Sequence, residues 1–222
     1  MFESHARSKR NINHFIVPGM LLVLTGCQSM YYGAMEKVGY EKRDILVDRV
    51  DNAREAQQEA KEQFESALEQ FVVMTNYKGG ELEKQYKNLK SEYEDSKARA
   101  EDVRERIELV EHVSGALFDE WKMEIAQYSN RDLKRASEKQ MRDTESSYTR
   151  LISTMKKAEK KIEPVLKAFN DRVLFLKHNL NANAISSLRS QKKAVESDIK
   201  SLIADMNKSI DEADKFIKSM SK

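Results

Sequence analysis

The sequence predicts an all-α fold: an elongated antiparallel four-helix coiled-coil bundle following an N-terminal lipoprotein signal peptide. Three observations carry that prediction. From residue 40 onward, apolar residues recur in alternating steps of four and three through four long stretches, the 3.5-residue repeat of helices that bury one seam. Clusters of glycine or asparagine separate the stretches, and breakers are otherwise scarce, with Pro164 the only proline beyond Pro18. Charged residues make up 34% of the chain, a composition suited to solvated helix faces rather than to a mixed globular domain.

The first helix is expected over about residues 40–77. Its seam is Leu46, Val50, Ala53, Gln57, Ala60, Phe64, Ala67, Phe71 and Met74. Alanines at every seventh residue let a neighbour approach closely, and Phe64 and Phe71 fill alternate layers. Gly79-Gly80 ends the segment, because glycine adopts the positive φ that a tight turn requires. A second helix over 81–127 carries Leu82, Tyr86, Leu89, Tyr93, Ser96, Ala100, Val103, Ile107, Val110, Ser114, Leu117 and Trp121. Near its end the apolar face broadens to include Val113, Phe118 and Ile125. Tyr128-Ser129-Asn130 closes it, with Ser129 or Asn130 placed to cap the next helix.

The third helix, over 131–179, opens weakly with Leu133, Ala136, Gln140 and Thr144. Its seam then strengthens through Tyr148, Leu151, Met155, Ala158, Ile162, Val165 and Phe169. Pro164 falls inside this phase, and because the register runs across it a kinked continuous helix is expected. Val173-Leu174-Phe175-Leu176 is apolar on every side. The asparagines at 179, 181 and 183 close the helix, with Asn183 a candidate cap for a fourth helix over 184–221. That last seam is Ile185, Leu188, Lys192, Val195, Ile199, Leu202, Met206, Ser209, Ala213, Phe216 and Met220. Gln57, Ser114 and Lys192 are expected to set register. Short turns require neighbouring helices to run antiparallel.

Upstream, Arg7, Lys9 and Arg10 precede a twelve-residue apolar run from Phe15 to Gly26, and the chain's only cysteine, Cys27, follows. The run fits a signal peptide and falls short of the ~20 residues that span a bilayer. Small residues before a cysteine distinguish a lipobox from ordinary cleavage. The expected domains are therefore a signal peptide (1–26) cut between Gly26 and Cys27, a lipidated tether (27–39) and a helical domain (40–222). The thiol of Cys27 would carry the lipid. Gln28, rather than aspartate, follows the cysteine, which favours the periplasmic face of the outer membrane. Tyr31 and Tyr32 would then lie within reach of the headgroups.

The first 26 residues hold three of the 39 basic residues and one of the 37 acidic ones, leaving 36 of each. A neutral chain lacks the electrostatic footprint of a nucleic-acid binder. Gly79-Gly80 is followed by Glu81-Leu82, so there is no phosphate loop. His112 and His178 stand alone, away from metal-ligand spacing. The expectations are no enzyme activity, no small-molecule substrate, no metal, and no cofactor beyond the covalent lipid. Anchoring at Cys27 gives the bundle a base and a tip. The tip gathers Phe71, Val73, Met74, Leu174, Phe175 and His178, candidate contacts for a protein partner or a second copy.

Three runs, CQSMYYGAMEKVGYEKRDILVDRVDNAREAQQEAKEQF (27–64), LFDEWKMEIAQYSN (117–130) and EPVLKAFNDRVLFLKHNLNANAISSLRS (163–190), resemble an uncharacterised bacterial lipoprotein family of the domain-of-unknown-function 2959 type. The resemblance implies a helical envelope protein with no assigned reaction. The label "DNA repair ATPase" carried by some such chains finds no support in these residues. The functional expectation is a lipid-anchored structural scaffold or adaptor in the cell envelope. The alternative is a membrane-surface or envelope-stress protein lying on the bilayer.

Overall fold

Antiparallel helices joined by tight turns account for the structure, a computed structural model that describes residues 41–220. The helices are α1 (Lys42–Thr75), α2 (Leu82–Gln127), α3 (Arg131–His178) and α4 (Ala182–Met220). Each packs along its two neighbours, in the cyclic order α1, α2, α3, α4 and back to α1. Cross-helix pairs fix the directions. Lys42 meets Glu120 at 2.9 Å near one end of the α1–α2 pair, and Gln70 meets Gln85 at 2.9 Å near the other. Lys156 pairs with Glu111 at 2.6 Å between α3 and α2, and Lys61 reaches Asn207 at 3.3 Å between α1 and α4. At about 1.5 Å per residue, α2 and α3 are each about 70 Å long.

The seams face inward. All nine seam positions of α1 are buried, as are all those of α4 except the half-buried Lys192, which pairs with Glu196 at 3.8 Å. Alanines 53, 60 and 67 lie in the core beside Phe64 and Phe71. Phe71 also meets Phe169 of α3, ring centroids 6.1 Å apart. Burying each Leu or Phe side chain contributes about 1.5–3 kcal/mol, offsetting the ordering of the chain. Core hydroxyls satisfy themselves locally: Ser96 donates to the Glu92 carbonyl at 2.6 Å and Ser114 to that of Glu111 at 2.9 Å. Gln57 is different. Neither its amide nitrogen nor its oxygen has a partner, and the Ser209 hydroxyl is also buried without one.

The turns follow from their residues. Gly79 and Gly80 take φ of +137° and +114°. The side-chain oxygen of Asn130 accepts from the backbone N–H groups of Asp132 (2.9 Å) and Leu133 (3.1 Å), capping α3. α3 is continuous through Pro164. The proline is exposed while Val165 and Leu166 are buried, so the Lys160 carbonyl that loses its N–H donor can be solvated.

Two expectations need correction. The cap of α4 is Asn181, not Asn183: its side-chain oxygen accepts from Ala184 N at 3.0 Å, and Asn183 already lies within the helix. The opening seam of α3 is not core. Leu133, Ala136 and Gln140 are exposed, Thr144 is half-buried, and Leu151 is the first fully buried residue of the helix. The cause is length. Lys42, at the start of α1, stands level with Glu120, and the last residues of α4 lie beside Thr144 and Ser147. Among the described residues, α2 and α3 therefore continue as a two-helix hairpin with no third or fourth helix to cover them.

Candidate functional site

The chemistry-bearing features fall at the two ends of the bundle. At the tip, α1 ends and α4 begins. Arg189 donates from Nε to the Thr75 carbonyl at 3.0 Å, placing a cation on carbonyls that α1 leaves without helical donors. Asn179 donates to the Phe175 carbonyl at 2.8 Å, closing α3. Arg172 is half-buried, donates to the Ala168 carbonyl, and has its pKa lowered chiefly by burial.

Of the tip residues singled out in the sequence, Phe71 and Met74 are wholly buried and present no surface in the folded bundle. Val73, Leu174 and Phe175 are exposed, at 51%, 52% and 41%, and Leu180 joins them at 38%. His178 is also exposed, in the last turn of α3. The tip thus divides its apolar residues between the core and solvent. Gly26 and Cys27, with the proposed signal and tether, lie outside the described residues.

At the other end, an open groove of about 540 Å³ runs between the α2–α3 hairpin and the ends of α1 and α4. Trp121 lines it and donates to the Ser137 hydroxyl at 2.9 Å, tying α2 to α3. The Lys42–Glu120 pair also lines it. Just above, Phe118 and Tyr148 meet edge-on at 5.7 Å. Burial raises the Tyr148 pKa, and its hydrogen bond with Ser114 opposes that shift. Met123, Tyr128 and Leu133 project from the hairpin, 63%, 42% and 57% exposed.

An ion-pair cluster on a buried carboxylate lies mid-bundle and was not apparent from the heptads. Asp205 of α4, with a side chain only 6% exposed, is held by Lys157 at 3.0 Å and by Lys161, both from α3. Lys161 lowers the carboxyl pKa most, burial opposes, and Lys157 adds to the lowering. Lys161 also reaches the Ser201 hydroxyl at 2.9 Å. Lysines one turn apart on α3 were a visible signal, but only the register of α3 against α4 shows which acid they share. Among the described residues, no three His, Cys, Asp or Glu side chains are grouped to hold a metal ion. No described helix is long and apolar enough to cross a membrane.

Among the described residues, these features define a structural class: an all-helical bundle whose core is mainly apolar and whose exposed large apolar side chains sit at its ends. The chain belongs to the family described as Protein of unknown function (DUF2959), which matches residues 31–220. No curated protein and no solved structure matches it.

Proposed function

We propose that this chain is a lipid-anchored periplasmic protein that acts as a structural scaffold or adaptor in the cell envelope. The observation that carries the reading is the polarity of the bundle. Arg43, near the start of α1, bonds the carbonyl of Met220 at the end of α4, so both ends of the described chain share one end of the bundle. Exposed Val73, Leu174 and Phe175 stand at the opposite end. A lipid on Cys27 would hold the first end near the outer membrane, and helices about 70 Å long would project the second into the periplasm. Apolar side chains left in water at the end of a bundle suit a protein partner or a second copy.

Two experiments test the reading. Cys27→Ser should leave a longer, unlipidated precursor that no longer fractionates with the outer membrane. Unchanged size and fractionation would refute the anchor. Photocrosslinking in cells from positions 73 and 175 should capture a discrete product that Val73→Glu and Phe175→Glu remove without lowering the thermal midpoint. No product, or a product indifferent to those charges, would refute the tip as the working surface.

A further inference from the structure

We infer that the α2–α3 hairpin end is a membrane-contacting foot, seated on a bilayer surface that carries anionic phosphate headgroups. The inference rests on the anchor reading above and adds that the bundle stands on the bilayer through its own side chains, not only through its lipid. Four observations converge on residues 121–135.

The first is position. The described chain begins at Glu41, at the rim of the groove. Beyond the level where Lys42 meets Glu120, α2 runs on for seven more residues to Gln127, about 10 Å. The hairpin turn is thus the part of this end that reaches farthest in the direction from which α1 enters. Cys27 precedes Glu41 by fourteen residues, so an anchor there keeps Glu41, at the rim of the same end, within at most about 50 Å of the lipid.

The second is exposure. Met123 and Leu133 are more than half exposed and Tyr128 stands in the turn itself. No neighbouring helix in the described structure covers them. The third is composition. Tyr128 and the chain's sole tryptophan, Trp121, combine an apolar ring with a polar handle, the side chains favoured where water meets hydrocarbon. The fourth is charge. Between residues 122 and 135 there are four basic side chains (Lys122, Arg131, Lys134 and Arg135) against two acidic ones (Glu124 and Asp132). Arg135 is paired with Asp132 at 3.4 Å. The four basic against two acidic side chains give this stretch a local excess of two positive charges, within a chain that sums to zero after residue 26, and attraction of that kind to headgroup phosphates weakens with salt.

Trp121 makes the test direct. The lipidated protein is reconstituted into vesicles of phosphatidylethanolamine and phosphatidylglycerol that contain dansyl-labelled phosphatidylethanolamine. Floated vesicles should show strong energy transfer from Trp121. Met123→Glu with Leu133→Glu, or Arg131→Gln with Lys134→Gln, should lose most of that transfer while flotation persists through the lipid. Met123, Arg131 and Leu133 are exposed and Lys134 is half-buried, and matching thermal midpoints verify that the fold is retained.

A wild type that floats but shows no transfer, or transfer indifferent to both pairs, overturns the foot and leaves the anchor standing. A wild type that does not float refutes the anchor itself. A Trp121→Phe, Phe175→Trp protein should show little transfer; strong transfer would mean a bundle lying flat and would overturn end-on contact. A Trp121 emission shift that depends on protein concentration without lipid would assign the surface to a second copy and overturn the lipid assignment.

Discussion

The two halves of α3 carry the same kind of heptad pattern and meet different fates. From Leu151 to Leu176 its seam lies among all four helices and is buried; from Leu133 to Gln140 the same spacing points into solvent. The opening seam of α3 is weaker, with Gln140 and Thr144 on it, but what leaves Leu133 and Ala136 exposed is where α1 starts and α4 stops. A heptad specifies which face of a helix is apolar, whereas burial requires a partner at that level of the bundle.

The same deletion in the two halves of α3 should have unequal costs. Leu151→Ala should cost about 2–5 kcal/mol, since it opens a cavity at a site with no exposure. Leu133→Ala should change stability by no more than about 0.5 kcal/mol. Urea midpoints at unchanged slope measure both. Equal losses would mean that the hairpin is covered in solution.

Next in size is Asp205→Asn, which should cost about 2 kcal/mol. The clamp is lost from the buried side, although Lys157 and Lys161 are exposed enough to regain water. The pH dependence has a definite sign. The Asp205 carboxyl is held below its ordinary value, so the folded state takes up a proton less readily than the unfolded one. Its contribution is therefore full above about pH 4, the unfolded carboxyl value, and is lost as pH falls through the lower folded value. The gap between wild type and variant should close on acidification in thermal melts. A gap that widens would contradict the clamp.

Gln57→Leu should act in the opposite direction. It replaces two buried, unpartnered polar atoms and should stabilise the bundle by about 1–3 kcal/mol. A loss of stability would show that the amide has a partner in solution. Register is the separate question: polar residues on a seam suppress alternative pairings, so the variant is also expected to broaden the distribution of oligomers on sizing. Asn130→Ala should cost about 1 kcal/mol for the lost cap of α3, detected as faster amide exchange confined to its first turn.

The four helices, their turns and nearly all the core were legible in the sequence, because a seam such as Leu46 to Met74 repeats often enough to define one face. What was not legible depends on relative length and register. Exposure of Leu133 follows from the starting level of α1, and the shared lysines on Asp205 follow from the offset of α4 against α3. Phe71 and Val73 lie two residues apart, one in the core and the other in solvent; a run apolar on every side does not reveal which member faces in. Asn181 took the capping role from Asn183 because the helix started two residues earlier than the last asparagine suggested.

The bond from Arg43 to the end of α4, which brings the start of the first helix and the end of the last together, has a mechanical consequence. A load applied between that end and the tip pulls α1 lengthwise past its neighbours, so Leu46 through Met74 must slip together and the layers share the force. A load applied between the two chain ends peels α1 from α4 one layer at a time, beginning at Ile45 and Met220. The same set of contacts is strong in the first geometry and weak in the second. A strut held at one end and pulled at the other meets its load in the strong direction.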